Sequence, residues 1–243
     1  MKKLVLVIAI LVLIGACQKE KNTADSPTEA YKMLYKAVKS KKPEEIKKWI
    51  SQGTLALSEA RANMEKSSVE KIIANGFTET TFSASLPQIR DERINGDFGA
   101  IEVWNEKRRL WEDLPFIKEA SVSFEFTGDD KSKILEIAKS TPTLEITEEN
   151  SRVTGSSKPM LYSAAEDVKT KLEEAGAKVK IENISWRLAV GEIFNGVYKS
   201  PGKSQSLIER EAANAANQGT MPPTGLANSQ SNTDTDSTKR KTK

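Results

Sequence analysis

The sequence predicts an α+β protein in which helices precede a curved antiparallel sheet. Apolar residues recur at helical spacing over residues 26–74, and from residue 77 onward the pattern changes to the alternation typical of strands. The turn Asn95-Gly96-Asp97 is a third observation, because it is typical of a tight antiparallel hairpin. Helices grouped before strands, rather than alternating with them, indicate α+β architecture.

Three helices are predicted at the start of the folded part. The first begins at a capping box, in which Ser26 caps the helix and Glu29 reaches back to its start. A short second helix follows Pro43, a residue that suits a first helical position. A third helix is predicted from Leu55 to Ala74, and it ends at Asn75-Gly76.

Five strands are expected to accompany these helices. They are predicted from alternating apolar residues and from the turn residues between them. The predicted strands cover Phe77–Ser85, Gln88–Ile94, Gly99–Asn105, Arg109–Glu119 and a late segment with Trp186, Leu188 and Val190 on one face.

A second unit is predicted between Glu119 and Ile184, since a structureless loop of that length is unusual inside a compact domain. Residues 121–127 alternate as a strand, and a helix with Ile134 on its apolar face follows. Residues 145–156 are ambiguous, with a short second helix as one possibility.

The end of this unit has clearer signals. Met160-Leu161 is expected to form a brief strand, and Ser163 with Glu166 forms a second capping box before another amphipathic helix. In the last strand the apolar residues are odd-numbered up to Ile181 and even-numbered from Ile184 onward. Because such a change of parity flips the buried face, the junction between the units is predicted at Glu182–Asn183.

The N-terminus predicts export. Lys2 and Lys3 precede an apolar run, Leu4–Leu13, which is too short to span a membrane. Ile14-Gly15-Ala16-Cys17 follows, and this segment resembles the lipobox of bacterial lipoproteins. The resemblance implies that residues 1–16 are removed and that Cys17 carries lipid. The alternative is a plain secretory signal with an incidental cysteine.

The rest of the envelope assignment follows from this resemblance. Residues 17–25 would be a lipidated tether. The residue directly after the cysteine is Gln18 and not the aspartate that marks inner-membrane retention. The periplasmic face of the outer membrane is therefore the expected location. Residues 201–243 are polar and nearly free of aromatic residues, so we expect a mostly disordered tail, with Leu207–Asn217 as one helical stretch.

Composition narrows the possible functions. The formal net charge is +3, and removal of Lys2 and Lys3 brings it to near balance, which gives no nucleic-acid footprint. The chain has no histidine, which excludes histidine general bases, histidine-dependent triads and the commonest metal ligand. We therefore expect no metal or cofactor, and a core without disulfides, since Cys17 is the only cysteine.

Four segments resemble small lipoproteins of the nuclear-transport-factor-2-like (cystatin-like) superfamily. They read SPTEAYKMLYKAVKSKKPEEIKKWIS, ERINGDFGAIEVW, WEDLPFIKE and WRLAVGEIFNGVY, and they lie within residues 26–119 and 184–200. The resemblance implies a cone of sheet around a long helix, with an apolar cavity at its open end. The residues that could line it, unless they simply fill the core, are Tyr31, Tyr35, Trp104, Trp111 and Trp186.

Residues 120–183 resemble a different family. The segments SVSFEFTGDDKSKILEIAKS and SAAEDVKTKLEEAGAKVKIE are similar to the C-terminal domain of the bacterial ribosomal stalk protein. This resemblance implies a β-α-α-β-α-β order, and Lys131 and Lys139 fall at basic positions that serve protein contact in that family. Glu136 stands where that family has a lysine, which together with export argues against translation-factor binding.

The expected function is a non-enzymatic, lipid-anchored protein of the cell envelope that serves as a protein-contact or scaffold module. One alternative is a small apolar ligand bound in the cone. Another is a histidine-free isomerase or hydrolase using carboxylates such as Asp97 or Asp113. Glu112 and Asp113 cannot form a carboxylate pair, because neighbours on a strand point to opposite faces.

Overall fold

The computed structural model describes residues 22–77, 82 and 85–218. These residues form two compact units, one up to Gln205 and one from Ser206. Within the described residues no helix is long and apolar enough to cross a bilayer. The helices there are α1 (Pro27–Ser40), α2 (Pro43–Lys47), α3 (Gln52–Met64), α4 (Val69–Gly76), α5 (Ser132–Ser140), α6 (Tyr162–Glu174), α7 (Val190–Phe194) and α8 (Gln205–Gln218).

Seven strands in the described part form one antiparallel sheet, which confirms the α+β prediction. Along the sheet the order is β1-β2-β3-β5-β4, and β6 and β7 both pair with β3. The strands are β1 (Ile89–Asn95), β2 (Phe98–Asn105), β3 (Leu110–Thr127), β4 (Leu144–Glu149), β5 (Arg152–Ser157), β6 (Met160–Leu161) and β7 (Lys178–Leu188).

Helix α1 begins at the predicted capping box. The Ser26 hydroxyl accepts a hydrogen bond from the Glu29 N–H at 3.2 Å, and the Glu29 carboxylate accepts one from the Asp25 N–H at 2.8 Å. Glu29 therefore reaches one residue further back than a standard capping box requires. The helix ends at Lys41, whose φ of 54° closes the last turn in the left-handed region.

The single helix predicted from Leu55 to Ala74 is wrong, because α3 and α4 are separate helices. The chain turns at Lys66, which has a φ of 50°, and α4 begins with its own cap. The Ser68 hydroxyl accepts a hydrogen bond from the Lys71 N–H at 3.2 Å. A serine cap of this kind starts a new helix rather than continuing the old one.

Three of the predicted strands differ in the structure. The strand predicted to end at Glu119 and the strand predicted over residues 121–127 are one continuous strand, β3. Val190 begins helix α7 instead of ending a strand. The strand predicted over Phe77–Ser85 lies largely outside the described residues. Residues 1–21, which contain the predicted signal, Cys17 and most of the tether, lie wholly outside them.

The sheet carries two separate buried cores. The first core contains apolar residues of α1, α2, α4 and β2, with Phe116, Trp186 and Leu188. The second core is built from residues 120–181, including Val122, Phe124 and Leu172, with Val179 and Ile181 of β7 packed against it. Both cores use β3 and β7, so neither strand belongs to one core alone.

The second core has a β-hairpin where a second helix was predicted, and this part of the prediction is wrong. Strands β4 and β5 pair along their length and turn at Asn150, which has a φ of 51°. Gly155 allows β5 to cross Phe124, because a Cβ there would lie 2.3 Å from the phenyl ring. The element order is therefore β-α-β-β-β-α-β, in which the last strand before the second helix is the two-residue β6.

The unit that begins at Ser206 contains helix α8 in its described part. This helix includes the helical stretch predicted at Leu207–Asn217. Most of its residues are exposed up to Ala216, including Ile208 at 53%. The remainder of the predicted tail, residues 219–243, lies outside the described residues.

Candidate functional site at the seam between the two cores

The two cores meet where the register of β3 and β7 shifts. Glu119 is paired with Ser185 and Ser121 with Glu182, so β7 has one residue more than β3 between these pairs. Asn183 lies in this bulge with a φ of 55°. The extra residue flips the buried face from one core to the other, as the change of parity in the sequence predicted. We call residues 119–121 and 182–185 the seam.

The start of the described chain is fastened to the seam. The Ala24 N–H donates to the Ser185 hydroxyl at 2.9 Å, and the Ala24 carbonyl accepts from the Trp186 N–H at 3.1 Å. Ala24 is itself buried in the first core. Residue 24 is thus held beside residues 185 and 186 by hydrogen bonds in both directions.

Three side chains cap helix α3 beside the seam. The backbone N–H groups of its first three residues each donate to a side-chain oxygen, at 3.1, 2.9 and 3.0 Å. A helix begins with N–H groups that have no partner within the helix, and its dipole favours negative charge there. The acceptors are, in order along the helix, Glu119, Glu192 and Ser51.

Glu192 reaches this helix through a close backbone contact. Helix α7 lies so near α3 that a Cβ on Gly191 would be 2.1 Å from the carbonyl carbon and oxygen of Gly53. Only glycine fits at that distance. The contact places the Glu192 carboxylate 2.9 Å from the Gly53 nitrogen and 2.6 Å from the Ser51 hydroxyl, which donates to it.

Arg187 is the positive partner of Glu119. Its guanidinium donates to Glu119 at 3.3 Å and to the Lys48 carbonyl at 3.2 Å. Burial of Glu119, which is 2% exposed, raises the pKa of its carboxyl to about 7. Arg187 opposes this rise, while the charge of Glu192 adds to it.

These contacts define the chemistry of the cluster. The oxygens of Glu119 and Glu192 already accept hydrogen bonds from α3, Ser51 and Arg187. Such saturated, buried carboxylates hold elements in place, and a reacting carboxylate needs access to a substrate proton. The cluster therefore holds α3 and α7 against β7.

On the other side of the seam, the first core caps a helix of the second. Asp97, in the turn between β1 and β2, accepts a hydrogen bond from the Ser163 N–H at 2.8 Å. The Lys118 ammonium lies 4.2 Å from the centre of the Tyr162 ring, at the first residue of α6. A cation over an aromatic face adds a favourable electrostatic contact.

The predicted capping box at Ser163 and Glu166 is wrong. Helix α6 begins at Tyr162, and its cap residue, Leu161, makes no side-chain hydrogen bond. Glu166 instead accepts from the Tyr162 hydroxyl at 2.6 Å. The capping carboxylate comes from Asp97, which lies 66 residues before its hydrogen-bond donor, Ser163.

The five aromatic candidates occupy different environments. Tyr31 and Trp186 are buried in the first core, and Tyr35 stacks on Phe82 with ring centroids 6.4 Å apart. Trp104 and Trp111 contact each other edge-on at 5.4 Å. Since strand residues alternate, Trp104 faces away from its buried neighbour in the first core, Val103. The five are not gathered around one space.

A cleft of about 230 Å³ lies between α3 and α4. None of the five aromatic candidates lines it. Its walls are mainly polar and carry three cations, so it does not have the apolar lining expected of the cone cavity. The lining residues are Arg61, Glu65, Lys66, Ser67, Lys71, Ile72, Asn75 and Gly76.

The two lysines predicted for protein contact differ in their surroundings. Lys131 donates to the Asn150 carbonyl and lies 3.7 Å from Glu148, so it joins α5 to the β4–β5 hairpin. Lys139 is exposed in the last turn of α5. The second of these positions is therefore the more accessible to a partner.

The carboxylates considered for chemistry are also engaged. Asp113 pairs with Arg93, and burial raises the pKa of its carboxyl despite that arginine. Glu112 pairs with Arg108 at 2.9 Å. Over the described residues, no group of three or more Asp, Glu, Cys or His side chains could hold a metal ion.

We call Glu119, Arg187, Glu192 and Ser51 the seam cluster. The sequence did not predict that these side chains would meet. One signal was present, because Glu119 occupies the same strand parity as Ile117, which predicts a buried carboxylate. Arg187 and Glu192 gave no comparable signal, since their partners lie more than 60 residues away. No protein-family model matches the chain, and neither a curated protein nor a solved structure matches it.

Proposed function

We propose that this protein is a lipid-anchored scaffold of the cell envelope, which presents its second core for contact with another protein. The observation that carries the proposal is the sharing of β3 and β7 by both cores. A core joined by two continuous strands keeps a fixed orientation. Fixed orientation lowers the ordering cost of binding a partner, which is what a scaffold supplies.

Additional contacts support this rigid presentation. Asp97 caps α6, Lys118 lies over Tyr162, and the Asn183 side chain donates to the Ser121 hydroxyl at 2.9 Å across the seam. Each contact crosses from one core to the other or closes the bulge between them. The second core would therefore move with the first rather than swing on a linker.

The surface offered to a partner would be α5 and the outer strand of the hairpin. Lys133, Glu136 and Lys139 are exposed along α5, and β4 pairs with β5 alone among the described strands. Glu148 and Glu149 add negative charge on β4. Mixed charges of this kind favour orientation and selectivity over raw affinity.

The family resemblances enter this proposal in a limited form. We infer that the first core is nuclear-transport-factor-2-like and that the second is stalk-like in its outer elements, β3, α5, α6 and β7. The β4–β5 hairpin stands where the stalk family has a second helix. Contact through a stalk-like surface would therefore involve a different partner from a translation factor.

Crosslinking in intact cells tests the proposed contact. A photo-crosslinking amino acid at Lys139 should give one discrete protein adduct, because this position is exposed on α5. The matched control is the same amino acid at Lys36, exposed on α1 in the first core. Equal adduct patterns at both positions, or none at Lys139, would contradict a contact through the second core.

Metabolic labelling tests the anchor separately. Cells fed an alkyne fatty acid should label the wild-type protein and leave the Cys17→Ser variant unlabelled. Gradient separation of the two membranes should then place the labelled protein with the outer membrane, if the cell has one. Label retained by Cys17→Ser would refute the anchor without bearing on the crosslinks at Lys139.

A further inference from the structure

The last turn of α7 and the residues just after it carry three exposed apolar side chains within five positions of the chain. Phe194 is 75% exposed, Ile193 51% and Val197 43%. We call residues 193–197 the apolar turn. Single exposed apolar residues are ordinary on a protein surface, whereas a contiguous group marks a contact with another apolar surface.

The apolar turn is held in this conformation by hydrogen bonds. The Asn195 N–H donates to the Gly191 carbonyl at 3.1 Å, and the Val197 and Tyr198 N–H groups donate to the Glu192 carbonyl at 3.0 and 2.9 Å. Gly196 has a φ of 73°, which suits glycine at the end of a helix. Glu192 is buried in the seam cluster, so the exposed side chains extend from a fixed base.

The apolar turn lies within reach of the lipid anchor. Cys17 and Ala24 are seven positions apart in the chain, so the segment between them spans at most about 25 Å however it is arranged. Ala24 is hydrogen-bonded to Trp186, and α7 begins four residues later. Phe194 is therefore no more than about 20 Å from Trp186 along an extended segment and a short helix.

We propose that the apolar turn inserts into the interface of the bilayer that holds the Cys17 lipid. The inference rests on the lipid anchor of the proposed function. A short tether keeps the first core beside the membrane, where Phe194, Ile193 and Val197 can leave water. Lys199, exposed two residues after Val197, lies where it can meet anionic headgroups. The occupant of this surface is thus a lipid surface.

A fluorescent label at position 194 tests the insertion. The lipidated protein with Phe194→Cys has one free thiol, since the lipid occupies the sulfur of Cys17. It is labelled with an environment-sensitive dye and reconstituted into vesicles of phosphatidylcholine and phosphatidylglycerol. Emission should shift to the blue, and lipids carrying a doxyl quencher should quench it. The matched control is Glu149→Cys, exposed on β4, which should show neither change.

Each other outcome overturns the inference in a distinguishable way. If the protein floats with the vesicles while the dye at position 194 stays in water, the anchor stands and the insertion is refuted. A blue shift without lipid quenching would mean that a second copy of the chain covers the apolar turn. Protein that does not float with the vesicles would refute both the anchor and the insertion.

Discussion

The Asp97 carboxylate caps a helix through a 2.8 Å hydrogen bond from the N–H of Ser163, which lies 66 residues later in the chain. Asp97 is buried, and it belongs to a turn of the first core. Loss of a capping carboxylate typically costs about 1 kcal/mol, up to about 2. We therefore expect Asp97→Ala to lower the free energy of unfolding by about 1–2 kcal/mol, measured by urea denaturation.

Ser163→Ala is the matched control for this prediction. The Ser163 side chain is exposed, and the cap uses its backbone N–H, which alanine retains. We expect a change within about 0.5 kcal/mol, as for most surface substitutions. The opposite ranking, with Ser163→Ala more damaging than Asp97→Ala, would restore the capping box that the sequence predicted.

Stability should fall as the pH rises toward neutrality, because of Glu119. Its pKa is raised from the ordinary 4.5 to about 7, so the folded protein retains a proton that the unfolded chain has released. Stability from this group is therefore present below about pH 4.5 and is lost as the pH rises through about 7. The loss should be of order 1–3 kcal/mol.

Glu119→Gln separates this effect from other titrations. Glutamine keeps an oxygen for the Gln52 N–H but has no proton to lose. Urea denaturation of both proteins from pH 4.5 to pH 8 should show a shallower fall in the variant. Parallel curves for the two proteins would mean that Glu119 titrates in its ordinary range.

Gly191→Ala should be strongly destabilising. A Cβ at this position would lie 2.1 Å from the Gly53 backbone, which cannot move aside as a flexible side chain could. Overpacking typically costs about 1–3 kcal/mol, and a clash between two backbones lies at or above the top of that range. The expected result is a lower denaturation midpoint, with α3 and α7 losing protection in hydrogen exchange.

Gly76→Ala provides the comparison for the same chemical change. Gly76 ends α4, and a Cβ there would have nothing within 4 Å. Alanine should be neutral or stabilising by up to about 1 kcal/mol. If both substitutions had the same effect, the close contact between α3 and α7 would not exist in solution.

The first core should fold without the second. Glu119 and Ser185 are paired across the seam, so residues 120–184 can be replaced by Asn-Gly, which favours a tight two-residue turn. The shortened chain should unfold cooperatively, and the fluorescence of buried Trp49 and Trp186 should match a folded core. Non-cooperative unfolding with binding of a hydrophobic dye would show that the cores depend on each other.

Local patterns in the sequence were sufficient for several features of the fold. The capping box at Ser26 and Glu29, the hairpin turn before Asp97 and the helix after Pro43 all depend on neighbours within a few residues. The parity change near Asn183 was informative for the same reason, because a bulge is recorded in the strand that contains it.

Features set by distant partners could not be read in this way. The apolar residues in 145–156 follow neither the helical nor the strand period clearly. This segment forms strands because β4 pairs with β5 over Phe124. The carboxylate that caps α6 comes from another core, and two of the three caps of α3 come from β3 and α7. The candidate site is made of such contacts, so it was the least predictable part.

The shared strands have a consequence for synthesis, which produces a chain from its N-terminus. Everything that buries the second core lies between residues 120 and 181, so this part can complete itself as soon as that stretch has emerged. The first core is complete only when Trp186 and Leu188 pack with Ala24 and Trp49. It therefore cannot close before residues 186 and 188 have been made. The first core, which contains Ala24 at the start of the described chain, is therefore the later of the two to close, and it closes against a second core that has already folded.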